Sequence, residues 1–306
     1  MVFELTILGS NAAIPAHNRH PTAQFLQIDQ HCFLIDCGEG TQMQMSKFKI
    51  RPNRIHHIFI SHLHGDHYLG LMGLISTMHL YQRTEDLHLY GPVGLSEILT
   101  AQLKYSDTRL SYPLHFREVD TEARQLIFEN EILTVETIPL RHRIRCAGFL
   151  FREKPKKRRL RKEVLPADIS LAHIAALKKG LDVKDAQGNV VMENEAYTLP
   201  PRKSRSYAYC SDTRYHEELV AQIRNVDLLY HESTFLDEEA GRASETFHST
   251  ARQAAAIARM AGVERLLLGH YSSRYKDLNP FLEEARCVFE ASVLSVEGES
   301  VVVPEE

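Results

Sequence analysis

Residues 61–67, SHLHGDH, place His62, His64, Asp66 and His67 within six positions. Neutral imidazole is a common metal ligand near neutral pH. Four such groups crowded together are costly to desolvate unless a divalent cation faces them. On a helix His62 and His64 would point to nearly opposite sides, whereas at the end of an extended strand alternate residues share a face. An irregular loop after such a strand can turn Asp66 and His67 inward. Three further ligand types close other strand-like runs: His142 after VETIPLR, Asp212 after YAYCS and His270 after RLLLG. Each alone reads as an ordinary surface histidine or a helix cap. Seven together exceed the four that a tetrahedral zinc takes, so two metals are implied. Two cations about 3.5–4 Å apart activate water and stabilise a phosphoryl group under attack.

The elements that must deliver these side chains alternate along the chain. FELTILG, AQFLQID and CFLIDCG read as a strand meander, and IHHIFIS is the strand that ends in the histidine loop. YLGLMGLISTMHLYQ has helical spacing and is read as one helix; LHLYGP is a strand, and residues 94–104 are helical. Strands follow at HFREV, QLIFEN and ILTVETIPL, and later SYAYC, HEELVAQIRN, VDLLYHES, TARQAAAIARMAG and RLLLGH alternate strand and helix. This is a mixed α/β core. Its character changes over residues 152–205, which hold a basic run, the helix-like ISLAHIAALKKG, a turn at AQGN and the polar PPRKSRS. The organisation is therefore a first core part (1–151), an inserted basic arm (152–205) and a second core part (206–306).

A chain of 306 residues with 43% apolar and 25% charged residues buries a sizeable core. The N-terminus lacks a secretory pattern and no apolar run reaches membrane-spanning length, so a cytoplasmic protein without a membrane partner is expected. Five cysteines without a CxxC pair read as buried free thiols. Of the 17 histidines, His56, His57, His79, His88 and His115 have no partner at ligand spacing and read as ordinary. The net charge of −4 argues against nucleic acid, but residues 152–162, REKPKKRRLRK, carry eight basic residues and one acidic, leaving the remainder at −11. Lys154, Lys156, Lys157, Arg158, Arg159, Arg161 and Lys162 of this run suit sequence-independent phosphate binding.

The HxHxDH motif, the later His, Asp and His, and the segments LGSNAAIPAHNRHPTAQFL, FLIDCGEGTQMQM, YCSDTR, HESTF, TFHSTARQAA and GHYSSRY resemble the metallo-β-lactamase superfamily and, within it, closely resemble the ribonuclease Z family. The resemblance implies a four-layer αβ/βα sandwich with a flexible arm. It implies two zinc ions, Zn2+, one held by His62, His64 and His142, the other by Asp66, His67 and His270, with Asp212 bridging. The nitrogen and oxygen donor set also accommodates Mn2+ or Fe2+. Asp66 would orient or deprotonate the attacking water, and His248, oriented by Glu232, would be the general acid. The implied reaction removes the 3′ trailer from precursor tRNA, leaving a 3′-hydroxyl on the tRNA and a 5′-phosphate on the trailer. Arg274 in GHYSSRY joins the arm residues as an RNA contact. A homodimer is implied in which the arm of one subunit grips tRNA at the other's site, with the apolar face of YLGLMGLISTMHLY as its surface. The chain departs from the family in EVLPADISLAHIAALKKGLDV, which has no Gly-Pro tip. Two rival readings are a hydrolase of small phosphodiesters or related substrates, and an inert RNA-binding scaffold, against which the full ligand set argues.

Overall fold

Apolar alternation makes β1 (Phe3–Gly9), β2 (Ala23–Ile28) and β3 (His31–Cys37) antiparallel neighbours, joined to α1 (Thr41–Lys47) by a turn with Gly40 in the left-handed region. The computed structural model describes residues 2–305. From β3 onward pairing is parallel: β4 (Ile55–Phe59), α2 (Gly65–Tyr68), α3 (Leu71–Leu80), β5 (Leu87–Gly91), α4 (Leu95–Tyr105) and β6 (Leu114–Glu118) extend the first sheet, with the helices serving as crossovers. The second sheet starts with antiparallel β7 (Leu126–Glu129), β8 (Leu133–Pro139) and β9 (Ala147–Glu153). The inserted segment holds β10 (Arg159–Leu160), α5 (Leu171–Lys178), β11 (Val183–Lys184), β12 (Val190–Met192), α6 (Asn194–Tyr197) and β13 (Thr198–Leu199). The chain re-enters the second sheet as β14 (Ser206–Cys210), α7 (Glu218–Gln222), β15 (Leu228–Glu232), α8 (Ala240–Thr246), α9 (Ala251–Ala261), β16 (Arg265–Gly269), α10 (Asn279–Arg286) and β17 (Ser292–Leu294). Finally β18 (Ser300–Val302) returns to pair with β1, so the sheet orders are β18-β1-β2-β3-β4-β5-β6 and β17-β16-β15-β14-β9-β8-β7.

The two sheets face one another across a layer of aromatic side chains that includes Phe33, Phe59, Phe149, Phe151, Tyr207 and Tyr209. Burying each ring contributes about 1.5–3 kcal/mol. On the outer face of the first sheet, Met45, Leu74, Ile75 and Leu99 bring α1, α3 and α4 down onto it; α7, α9 and α10 cover the second through Leu219, Ile257 and Phe281. The result is the four-layer sandwich. Because β14, β15 and β16 are mutually parallel and β8 runs the same way, all four end at one edge of the second sheet. That edge carries residues 142, 212, 232 and 270.

The structure departs from the sequence reading in four places. YLGLMGLISTMHLYQ does hold one helix, α3, but it starts only at Leu71: the turn of α2 ends at Tyr68, and at Gly70 between them a Cβ would stand 2.1 Å from the Gly38 carbonyl oxygen. Asp66 and His67 therefore lie on the single turn of α2 and not in an irregular loop. Cys287 is exposed, although the other four cysteines are buried. His57, His88 and His115 are not solitary: parallel register sets them side by side on β4, β5 and β6, with ring centroids 5.1 and 4.8 Å apart. Finally, the inserted segment has a small core of its own, Leu177, Val183 and Met192 with Leu160, Leu165 and Tyr197 around them.

At the base of this segment Arg205, 1% exposed, donates to Glu153 Oε1 at 2.7 Å and Oε2 at 3.0 Å. Lys156 Nζ joins them, 2.9 Å from Glu153 and 3.0 Å from Glu305. Lys154 pairs with Glu129 at 2.6 Å, Arg158 Nε donates to Thr198 Oγ1 at 2.7 Å, and Arg159 Nε donates to the Pro200 carbonyl at 3.2 Å. Arg161 is half-buried, while Lys157 and Lys162 are exposed. Several cations of the basic run thus build the segment as well as charge it.

Candidate metal centre

Strand β4 is followed directly by His62 and His64, whose ring nitrogens Nε2 and Nδ1 face each other at 3.1 Å. His142 Nε2 lies 3.0 Å from the same His64 Nδ1. Asp212, carried just past β14, points Oδ2 at His62 Nε2 (3.5 Å) and His142 Nε2 (3.7 Å). Its other oxygen, Oδ1, is 3.3 Å from His67 Nε2 and 3.2 Å from His270 Nε2. Those two nitrogens are 3.3 Å apart, and Asp66 Oδ2 is 3.5 and 3.4 Å from them. Seven side chains from both sheets therefore form two groups, His62–His64–His142 and Asp66–His67–His270, with one oxygen of Asp212 turned to each.

The donor set fits cations. Imidazole nitrogens facing one another at hydrogen-bond distance cannot satisfy each other all round, because only one of any two can lend a proton. The carboxylates also remain charged. Burial would raise Asp212, but His270, His67 and His62 hold it well below the usual carboxylate range. Asp66 follows the same pattern, burial being outweighed by His67 and by hydrogen bonds from His270 and His67. Burial pushes His67 down, but Asp212, Asp66 and Asp36 push it well above its ordinary value. Burial instead lowers His62 well below its ordinary value and lowers His64 and His142, which favours neutral rings there.

A surrounding layer holds the rings. His67 Nδ1 donates to Asp36 Oδ2 at 2.7 Å, and the same carboxylate accepts from Ser61 N–H and Oγ–H at 2.7 and 2.8 Å and from the Tyr209 hydroxyl of the opposite sheet at 2.5 Å. Ser61 Oγ stands 3.0 Å from His62 Nδ1, and the Phe247 carbonyl 3.1 Å from His142 Nδ1. Thr234 Oγ1 lies 3.0 Å from His270 Nδ1 and passes its own hydrogen to Glu232 Oε2 at 2.7 Å. An acceptor at the outer nitrogen puts the ring hydrogen there and leaves the inner lone pair for a metal. Asp36, Ser61, Thr234 and the Phe247 carbonyl were not found from the sequence. A carboxylate closing the apolar run CFLI was the one available signal, at Asp36.

Glu232, fully buried, accepts at Oε1 from His248 Nδ1 (2.8 Å) and from Thr213 N–H (2.9 Å). Burial lowers the His248 imidazole, but Glu232 raises it further and it reaches about 9. Its ring lies 5.2 Å from that of His142 and 5.5 Å from that of His270. His248, Asp66, Asp212 and His270 line a cleft of about 440 Å3 open to solvent. Arg274 is exposed beside Ser272 and Ser273 of its wall.

Two family models match the chain: one described as Anti-Pycsar protein Apyc1 over residues 3–160, the other as Beta-lactamase superfamily domain over residues 163–271. The first covers the HxHxDH half and stops before Asp212, Glu232, His248 and His270. A ribonuclease Z of Cytophaga hutchinsonii is 52% identical over 303 residues, covering 99% of this chain and 97% of that protein. The chain belongs to the ribonuclease Z family. A ribonuclease Z of Bacteroides fragilis is 45% identical, with 97% of each chain covered. Among solved structures, human tRNase Z, short form, superposes with a TM-score of 0.71 at 27% identity, covering 98% of this chain and 99% of that one. In this ribonuclease Z family member the metallo-β-lactamase fold and the His/Asp cluster make a metal-binding site.

Proposed function

We propose that this protein is the endoribonuclease that removes the 3′ trailer from precursor tRNA, loaded with two zinc ions and working as a cytoplasmic homodimer. The observation that carries the reading is a buried Glu232 paired with the cleft-facing His248, set beside two ligand groups that share Asp212. His62, His64 and His142 would hold one cation and Asp66, His67 and His270 the other. Bound cations supply Lewis acidity, which lowers the pKa of water and neutralises charge on the phosphoryl group.

The chain's own residues do the rest. Asp66, held ionised and fixed by the Ala13 N–H at 2.7 Å, orients the attacking water and accepts its proton. His248 has Nδ1 committed to Glu232, so Nε2 is the atom that donates to the departing 3′ oxygen. Its raised pKa keeps it protonated at neutral pH. The products are a 3′-hydroxyl on the tRNA and a 5′-phosphate on the trailer. Lys157 and Lys162, with Lys154, Lys156, Arg158, Arg159, Arg161 and Arg274, supply the positive field for RNA phosphates. Exposed Met43, Leu69, Leu80 and Tyr81, on and around α1 and α3, offer the apolar surface for a second copy. Among the described residues no helix is long and apolar enough to cross a membrane.

The test is incubation of metal-loaded protein with a 3′-extended precursor tRNA, mapping both product ends. A single cut beside the acceptor stem with the stated termini is expected. An intact tRNA alongside rapid hydrolysis of a small phosphodiester would favour the small-substrate reading instead.

A further inference from the structure

Four of the five ligand-type imidazoles have an acceptor at the outer nitrogen: Ser61 for His62, Asp36 for His67, Phe247 for His142 and Thr234 for His270. His64 is the exception. Its inner nitrogen is Nδ1, 3.1 Å from His62 Nε2 and 3.0 Å from His142 Nε2, and its outer nitrogen Nε2 meets the Arg143 guanidinium at 3.2 Å. A guanidinium only donates. A neutral His64 with its lone pair turned inward carries hydrogen on Nε2, so the contact then sets donor against donor. Arg143 makes no ion pair among the described residues, and it is exposed on the wall of the cleft that holds Asp66, His248 and Asp212. Neighbouring Arg141 is paired with Glu218 at 2.7 Å, and Arg145 lines a different hollow.

A cation that loses its acceptor once His64 turns its lone pair inward, in a cleft where phosphodiester chemistry is placed, needs an anion. We propose that Arg143 is a substrate-binding residue that clamps a non-bridging oxygen of the scissile phosphate. When His64 takes its ligand tautomer, the guanidinium turns off the imidazole, and its fork of N–H groups is matched in shape to a phosphate. The inference rests on the phosphodiesterase reading above. It differs from the arm lysines in acting at the bond that breaks, so substrate size is irrelevant to it.

The test compares zinc-loaded wild type with Arg143→Ala, Arg143→Lys and Arg145→Ala. Inorganic phosphate serves as a competitive inhibitor and, separately, as a ligand that raises the melting temperature. In Arg143→Ala the inhibition constant of phosphate is expected to rise about 10-fold or more. The phosphate-induced melting shift should shrink, and kcat/KM should fall for precursor tRNA and bis(p-nitrophenyl) phosphate alike, with zinc content unchanged. Arg143→Lys should recover part of each loss, and Arg145→Ala should match wild type. Unchanged phosphate binding in Arg143→Ala would overturn the proposal, as would loss of zinc in that variant, which would make the guanidinium a support for His64. Wild type that cuts neither substrate would instead remove the underlying reading.

Discussion

Glu232 orients two rings at once, His248 directly and His270 through the Thr234 hydroxyl. Replacing it with Gln removes the charge that keeps the His248 imidazole up near 9, so burial then dominates and the pKa falls. In the acid role proposed for it, His248 must be protonated to donate, so activity should fail as pH rises through its pKa. In Glu232→Gln the alkaline limb of the pH–rate profile should move down by about a unit or more. A limb that stays put would remove His248 from the acid role. Asp36, which holds His67 and Ser61, should matter through the metal: Asp36→Asn, which tolerates the left-handed backbone at this position (φ 55), should weaken metal affinity about 10–100-fold by titration against a chelator. The seven side chains of the cluster were legible because histidines and aspartates stood where strands end. Thr234 and Ser61 were not, since their role depends on which imidazole folds against them.

At the level of elements, the ladder of His57, His88 and His115 shows how register turns unremarkable residues into a group. Burial, then His88, His56 and His31, push His57 down to about 3, and His88 is lowered as well, while Asp86 pairs with His115 at 2.9 Å at the outer end. Arg83 adds to the positive side against His57, and Arg117 against His88. A histidine whose folded pKa is depressed takes up a proton on unfolding, so stability falls as pH drops below about 6.5. His57→Gln should therefore lose less melting temperature than wild type between about pH 7 and about pH 5. Equal losses would show that the ladder does not titrate with folding. The arm divides similarly. Lys157→Ala with Lys162→Ala should raise the KM for precursor tRNA several-fold and leave a small phosphodiester unaffected, whereas Lys156→Ala, which breaks contacts to Glu153 and Glu305, should lower the melting temperature. Composition marked the basic run; it did not reveal which of its cations pair within the fold.

Over the whole molecule, two sheets must meet for the centre to exist. The first brings His62, His64, Asp66 and His67 at the end of β4 and the turn of α2; the second brings His142, Asp212 and His270 from the ends of β8, β14 and β16. The strand pattern foretold an α/β core, and the family likeness the sandwich. The return of β18 onto β1 and the break between α2 and α3 depended on long-range contacts that no local pattern encodes. The most direct measurement is the metal stoichiometry of the folded protein after chelation and reloading, by atomic emission, for wild type and Asp212→Ala. Two equivalents per chain in wild type, lost together with cleavage in the variant, are predicted. A folded wild-type chain that takes up one equivalent or fewer, or an Asp212→Ala protein that keeps two and still cuts, would contradict the shared centre.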